Sequence, residues 1–326
     1  STSKFTQLLS VDDDRYRHYM IDLNRAAGLN LVAALRDICH QAERAIRSGN
    51  TLVVLTDRNL VEGSVPVHAL LATGAVHHHL INSGLRSKAN ILVETGTARN
   101  SHEFAVLIGF GATAVYPYLA YQCACELTNC TAVPAAAEHM NMYRRGINKG
   151  LYKILSKMGI STITSYRGAQ LFEAVGLNSE VVDLCFSGTT CRIQGTGFRE
   201  LQRDQQQLAL RAWDTHASVL HGGHLKYVNG GEYHAFNPDV VQALQACARS
   251  GDYDDYRHYA SLINGRTPAV IRDLLALRSK SDAIPLDEVE AVENIVTRFE
   301  TGAMSLGALS PEAHETLAMA MNRLGG

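Results

Sequence analysis

The chain has 326 residues, 46% hydrophobic and 19% charged, with a net charge of -2 at pH 7. That composition supports a large packed core, carries no signature of disorder, and lacks the basic excess of a nucleic-acid binder. No apolar run approaches the ~20 residues that cross a bilayer, the amino terminus has no signal-peptide pattern, and the seven scattered cysteines read as reduced thiols of a cytoplasmic protein.

In chain order, Leu29 to Gly49 predicts an amphipathic helix closing on Gly49-Asn50, and Thr51 to Leu55 a buried strand. Pro66 is expected to open a long helix to about Gly84, since the N–H it lacks has no partner in a first turn. A strand at Asn90 to Glu94, a helix from Ser101 to about Ile108 and a strand at Ala112 to Tyr116 follow. Cys123 to Ala137 reads as a loop or frayed helical turns. Lys149, Lys153 and Lys157 then recur at helical spacing beside Leu151, Ile154, Leu155 and Met158, and Gly159 stops that helix. The β-branched run Ile160 to Thr164 predicts another strand, and Gly168 the start of a helix carrying Leu171, Phe172 and Val175. Beyond Val182, glycine pairs mark loops, helices resume at Asp239 to Arg249 and Asp254 to Leu262, and Pro285 to Glu293 forms an acidic connector. Gly302 to Ser305 predicts a short strand, followed by a helix capped by Ser310 with Pro311 in its first turn. Strands alternating with helices predict an α/β fold around a parallel sheet.

Three motifs have bland readings that outweigh the functional ones. Gly109-Phe110-Gly111-Ala112-Thr113-Ala114 matches a dinucleotide fingerprint by letters, but a helix precedes it and a strand follows, the reverse of what phosphate binding needs. Cys123, Cys125 and Cys130 lack the neighbours that shape an iron–sulfur loop and read as free thiols. His77, His78 and His79 are consecutive on a predicted helix, so the three cannot converge on one metal; one or two are expected to hydrogen-bond at a helix–sheet junction. No cysteine sits beside an obvious base in the sequence, and no catalytic set is recognisable.

The residues just after strand ends are the better candidates, because α/β folds place ligand loops there. Asp57, Arg58, Glu94 and Arg99, with Thr95, are expected to form a charged cluster at one rim. Two readings stand open for it: an ion-pair network that braces loops, or substrate contact.

Four long stretches carry a resemblance. They are NKGLYKILSKMGISTITSYRGAQLFEAVGLNSEVVD from Asn148 to Asp183, LTDR at Leu55 to Arg58, AVHHHLINSGLR from Ala75 to Arg86, and GAMSLGALSPEAHETLAMAMNRLGG at the carboxyl end. Together they resemble the large (alpha) subunit of glutamate synthases over nearly the whole chain. The resemblance implies a central domain at residues 1–286 and the truncated start of the FMN-binding domain at 287–326. The implied fold is a set of parallel β/α units like an incomplete TIM-like barrel, with the first β/α unit of an FMN barrel at the carboxyl end. The family reaction makes two glutamates from glutamine, 2-oxoglutarate and a reductant, with ammonia passing through a tunnel and reduced FMN supplying the hydride. In that setting Asp57, Arg58, Glu94, Thr95 and Arg99 become candidates for the tunnel wall. Ala303, Met304 and Ser305 become candidates for FMN contact, but only in the intact enzyme.

The family's glutaminase uses an amino-terminal cysteine, and this chain begins with Ser1, so the glutaminase is expected to be absent. Both ends are expected to be cut, and the isolated segment to be inactive and to hold neither FMN nor a metal. The family's 3Fe–4S cluster is expected further downstream. Implied partners are the glutaminase domain, the rest of the FMN domain, and a small reductase subunit or ferredoxin, with no nucleic acid and no membrane. Two rivals remain: a self-sufficient flavin or phosphate-binding barrel enzyme, and a stand-alone interaction module.

Overall fold

The computed structural model describes residues 2–126, 133–216, 222–224, 226–279, 282–302 and 304–326. The chain divides into two units, Ser1–Ser218 and Val219–Gly326.

The first unit opens with α1 (Thr2–Leu9), β1 (His18–Asp22), β2 (Asn24–Ala26), α2 (Leu31–Arg47) and β3 (Leu52–Thr56). It continues with β4 (Ser64–Pro66), α3 (Ala69–Asn82), β5 (Asn90–Glu94), α4 (Ser101–Gly109), β6 (Ala112–Tyr116), α5 (Tyr118–Glu126) and α6 (Val133–Met158). A short α7 (Ile163–Tyr166), β7 (Glu173–Leu177), α8 (Ser179–Cys185), β8 (Thr190–Thr196) and α9 (Phe198–Ala212) complete it.

A four-stranded sheet runs in the order β1-β3-β5-β6. Every pairing in it is parallel, with Val53 opposite both Tyr19 and Ile91, and Glu94 opposite both Thr56 and Tyr116. Strand order follows chain order with no reversal. This is how a barrel wall winds, whereas a doubly wound sheet turns back at a switch point. No closed barrel forms among the described residues; β2–β4 and β7–β8 make separate two-stranded sheets, antiparallel and parallel respectively.

All five residues of β3 are buried, because its two faces meet different partners. On one face Ile21, Val53, Leu55, Ile91 and Val93 join Leu35, Ile38 and Ala42 of α2 and Val76 and Leu80 of α3 in the main core. On the other, Leu52, Val54 and Leu92 are covered by Phe5, Leu8 and Leu9 of α1. Helix α3 also packs closely on α8. A Cβ at Gly74 would stand 2.1 Å from the Cys185 carbonyl oxygen, so only glycine permits that approach.

Several sequence expectations are corrected. Pro66 does not open a helix: it ends β4, and the side chain of His68, not a proline, caps α3 by accepting the Leu70 N–H. Ile160 to Thr164 is not a strand; its residues from Ser161 onward are exposed with no strand beside them, and Ile163 enters the one-turn α7. Gly168 does not begin a helix. It takes a positive φ of 73°, its N–H reaches the Gly109 carbonyl, and the chain continues into β7. The Cys/Ala-rich stretch is helical on both sides of the residues left undescribed, ending α5 and starting the 26-residue α6. Cys130 lies outside the described residues.

The second unit holds α10 (Pro238–Ser250), α11 (Tyr253–Asn264), α12 (Val292–Val296) and α13 (Pro311–Leu324). Gly251, at φ 66°, ends α10 just before α11 begins. Ser310 caps α13 through the Ala313 N–H, with Pro311 in the first turn, as the residue pattern predicts. The expected strand at Gly302 to Ser305 is not formed: Gly302, Met304 and Ser305 are irregular, and Ala303 lies outside the described residues. No neighbouring strand is present among the described residues of this unit to pair with it.

Candidate functional site

The carboxyl ends of β3, β5 and β6 hold an interlocked polar arrangement. β3 delivers Thr56, Asp57 and Arg58; β5 delivers Glu94, Thr95 and Gly96. Thr56, Asp57, Glu94 and Thr95 are buried, Thr95 completely. Burial of two carboxylates demands partners, and each oxygen has one.

The Thr56 hydroxyl donates to Glu94 Oε2 at 2.7 Å, and Arg58 donates to Glu94 Oε1 at 2.9 Å. The Thr95 hydroxyl donates to Asp57 Oδ2, and the Gly96 N–H to Asp57 Oδ1 at 3.0 Å. Backbone bonds tie the same strand ends together: Asp57 N–H to the Glu94 carbonyl at 3.2 Å and Thr95 N–H to the Tyr116 carbonyl at 3.0 Å. The Glu94 carboxylate strengthens the proton affinity of the Arg58 guanidinium, which stays charged with half of its side chain in water. That guanidinium stands 5.3 Å from the Tyr118 ring centre, and burial beside Asp57 pushes the Tyr118 phenol well above its usual range.

The structure thus brings together Asp57, Arg58, Glu94 and Thr95, as expected. It does not bring Arg99 with them. Arg99 pairs instead with Glu103 at 3.2 Å, inside the cap of α4 formed by Asn100 and Glu103. A capping carboxylate one turn along the chain is a nearer partner than strand ends across a loop.

Arg99 lines a different feature, a recess of about 460 Å³ with His68, Gly96, Thr97, His102 and Glu103 among its walls. His68 was invisible as a site residue in the sequence, where a single histidine after Val-Pro-Val carries no signal. Its Nδ1 accepts the Leu70 N–H at 3.2 Å, which leaves the proton on Nε2, and burial holds the ring neutral by lowering its pKa.

The histidine run separates by role. His77 Nδ1 accepts from Arg86 Nε at 2.8 Å, while the same guanidinium donates to the Ala89 and Gly111 carbonyls at 2.6 and 2.8 Å. Burial, helped by the Arg86 charge, lowers the His77 pKa to about 4. Gly111 has φ 114°, and a Cβ there would lie 2.4 Å from His77 Nδ1. The glycines of the fingerprint-like motif therefore serve the junction of α4 and β6, where phosphate has no helix amino terminus to meet. His79 leaves its neighbours and reaches Glu43 on α2 at 2.7 Å.

Burial pushes the Cys39 thiol up to about 12 and raises Cys185 as well, so neither is a thiolate at neutral pH. Cys123 and Cys125 are two apart on α5, which turns their side chains roughly 200° from each other. They form no cluster cradle. Met304 and Ser305 are exposed and irregular, so the residues present do not build a flavin pocket.

Two family models match the chain: the glutamate synthase central domain over residues 1–178, and the conserved region in glutamate synthase over residues 234–326. This chain belongs to the glutamate synthase family. The ferredoxin-dependent glutamate synthase of Pyropia yezoensis is 45% identical over 312 residues, covering 91% of this chain and 20% of the relative. The glutamate synthase (NADPH) large chain of Bacillus subtilis is 43% identical over 300 residues, again 91% of this chain and 20% of the relative. Ferredoxin-dependent glutamate synthase 1 of Arabidopsis thaliana, chloroplastic/mitochondrial, is 41% identical over 322 residues. The chain therefore spans about 20% of the length of these glutamate synthases. No helix among the described residues is long and apolar enough to cross a membrane.

Proposed function

We propose that this chain is the non-catalytic bridge of a glutamate synthase, an oxidoreductase that makes two glutamates from glutamine, 2-oxoglutarate and a reductant. Residues 1–286 serve as its central segment, and residues 287–326 begin its flavin-binding part, with Ala303, Met304 and Ser305 meeting FMN only when the remaining barrel strands surround them. In the whole enzyme the 3Fe–4S cluster and the remainder of the FMN site lie on parts outside this segment. Its partners are the glutaminase domain, the rest of the flavin domain, and ferredoxin or a reductase subunit, in a reducing compartment such as the cytoplasm.

The observation that carries this reading is the interlocked Thr56–Glu94–Arg58 and Asp57–Thr95–Gly96 network. Every carboxylate oxygen in it is already engaged within the protein. Such a set is poor at abstracting protons and good at fixing loop backbone, because each hydrogen bond would have to break before chemistry began. A passage for ammonia needs that property: fixed walls that keep bulk water out, with no group that captures the cargo. Asp57, Arg58, Glu94 and Thr95 hold the strand-end loops, and Arg99 holds the start of α4 beside the recess.

The test is made in the full-length large subunit carrying Thr95→Val, which keeps shape and removes the donor to Asp57. The expected result is normal glutamine hydrolysis and normal synthesis from added ammonia, with a severalfold rise in the ammonia that escapes to solvent during glutamine-dependent turnover. Equal loss of both half-reactions with tight coupling preserved would show a catalytic role and overturn the proposal. Unchanged kinetics with no leakage would overturn it too.

A further inference from the structure

We propose that His40, Glu43 and His79 form a three-ligand site for a divalent first-row transition-metal ion, zinc by preference, which would cross-link α2 to α3. The site lies away from the strand-end network and does not depend on the functional reading above.

The geometry comes from two helices. His40 and Glu43 are three apart on α2 and so share a face, while α3 packs alongside and presents His79 to them. One ligand atom from each residue lies within 4.8 Å of the other two. His79 Nε2 and Glu43 Oε2 are already 2.7 Å apart, and the His40 and His79 rings meet edge to face at 5.5 Å between centres. Ligands on a tetrahedral zinc at about 2.0–2.1 Å stand about 3.3 Å from one another. The observed spacings bracket that value, so small side-chain rotations complete the shell.

The carboxylate is also held for the purpose. Arg47, one turn beyond Glu43, donates to Glu43 Oε1 at 2.7 and 2.9 Å, which leaves Oε2 turned toward His79. An outer partner that fixes one carboxylate oxygen while the other binds is the usual support of a metal ligand. Two imidazoles with one carboxylate suit zinc and its neighbours and disfavour magnesium and calcium, which prefer all-oxygen shells. Three protein ligands leave one position open, and a recess of about 280 Å³ lined by His40, His79, Arg36 and Asp183 adjoins it. Water or a small anion would occupy that fourth place.

Spacing in the sequence hid the site. Three consecutive histidines cannot share a metal, and they do not; one of them does so with residues 36 and 39 positions earlier in the chain.

The experiment titrates zinc into the chelator-stripped, reduced 326-residue chain by isothermal calorimetry, with cobalt(II) as the optical probe. One equivalent is expected to bind, and cobalt should show tetrahedral visible bands without a thiolate charge-transfer band. His40→Gln, Glu43→Gln and His79→Gln should each weaken zinc at least tenfold, and Arg47→Gln on the order of tenfold. His40 is exposed, so His40→Gln keeps the test decisive if a more buried variant misfolds; circular dichroism confirms the fold of each. Absence of binding would overturn the proposal. So would binding that survives all three ligand substitutions, or a thiolate band that disappears with Cys123→Ser and Cys125→Ser.

Discussion

The two units of this chain solve the problem of burying apolar surface very differently. In the first, helices and a parallel sheet enclose a continuous core in which Ile21, Leu35, Ile38, Val53, Leu55 and Leu80 are fully withdrawn from water. In the second, helical side chains buried among the described residues are confined to Val240 and Ala243, while Leu274, Leu275, Leu277, Leu286 and Phe299 are largely exposed. Sequence apolarity is therefore a poor guide to burial by itself. What matters is whether a second layer is available to receive the apolar face. The first unit supplies that layer most fully at β3 and β5; the second relies on isolated clamps, such as the part-buried Arg266–Asp273 pair at 2.9 Å with its added bond to the Ala235 carbonyl.

The sharpest way to break the contrast is Gly74→Ala. A Cβ there meets backbone, the Cys185 carbonyl, so neither partner can rotate aside. Separation of α3 from α8 should cost about 3 kcal/mol, read as a lowered urea midpoint. An unchanged midpoint would mean that the first unit is as loosely packed as the second.

A smaller effect follows from His77. Its pKa is lowered from 6.5 to about 4, so between those values the unfolded chain binds a proton that the folded chain refuses. Stability should fall as pH drops from about 6.5 towards 4, by about 2 kcal/mol from this group, and should not depend on it above that window. His77→Gln should flatten the difference between urea midpoints at pH 7.5 and pH 4.5 relative to the parent. If the slope is unchanged, the Arg86–His77–Gly111 junction is not what closes α3 onto the sheet.

The smallest effect is expected in the second unit. Leu277 is 106% exposed, so Leu277→Ser should shift thermal stability by less than about 0.5 kcal/mol. A loss of several times that would show that this leucine is covered in solution and would erase the contrast drawn here.

Where neighbours in sequence set the structure, the pattern was readable. The runs Leu52 to Leu55 and Ile91 to Val93 could only be buried strands, and Ser310-Pro311 could only begin a helix. β1 escaped notice because an edge strand with Ile21 as its sole buried residue shows no apolar run. β7 and the exposed run at Ile160 to Thr164 were exchanged for the opposite reason: β-branched residues favour strands only where another strand is there to pair. The clustering of Asp57, Arg58, Glu94 and Thr95 is legible because strand ends can be located from sequence. Arg99 was misplaced because a cap within its own helix competed for it, and His68 and the Glu43–His79 contact depend on helix packing that one-dimensional spacing cannot carry.

The helix α1 has a kinetic consequence. Its docking surface combines Leu52 and Val54 with Leu92, and Phe5 stacks on Tyr116 at 4.5 Å. Helix α1 thus cannot find its complete seat until Tyr116, more than a hundred residues further along the chain, has been made. Long-range closure of this kind is slow to form, which makes the amino-terminal helix a natural late step in assembling the inner face of the sheet.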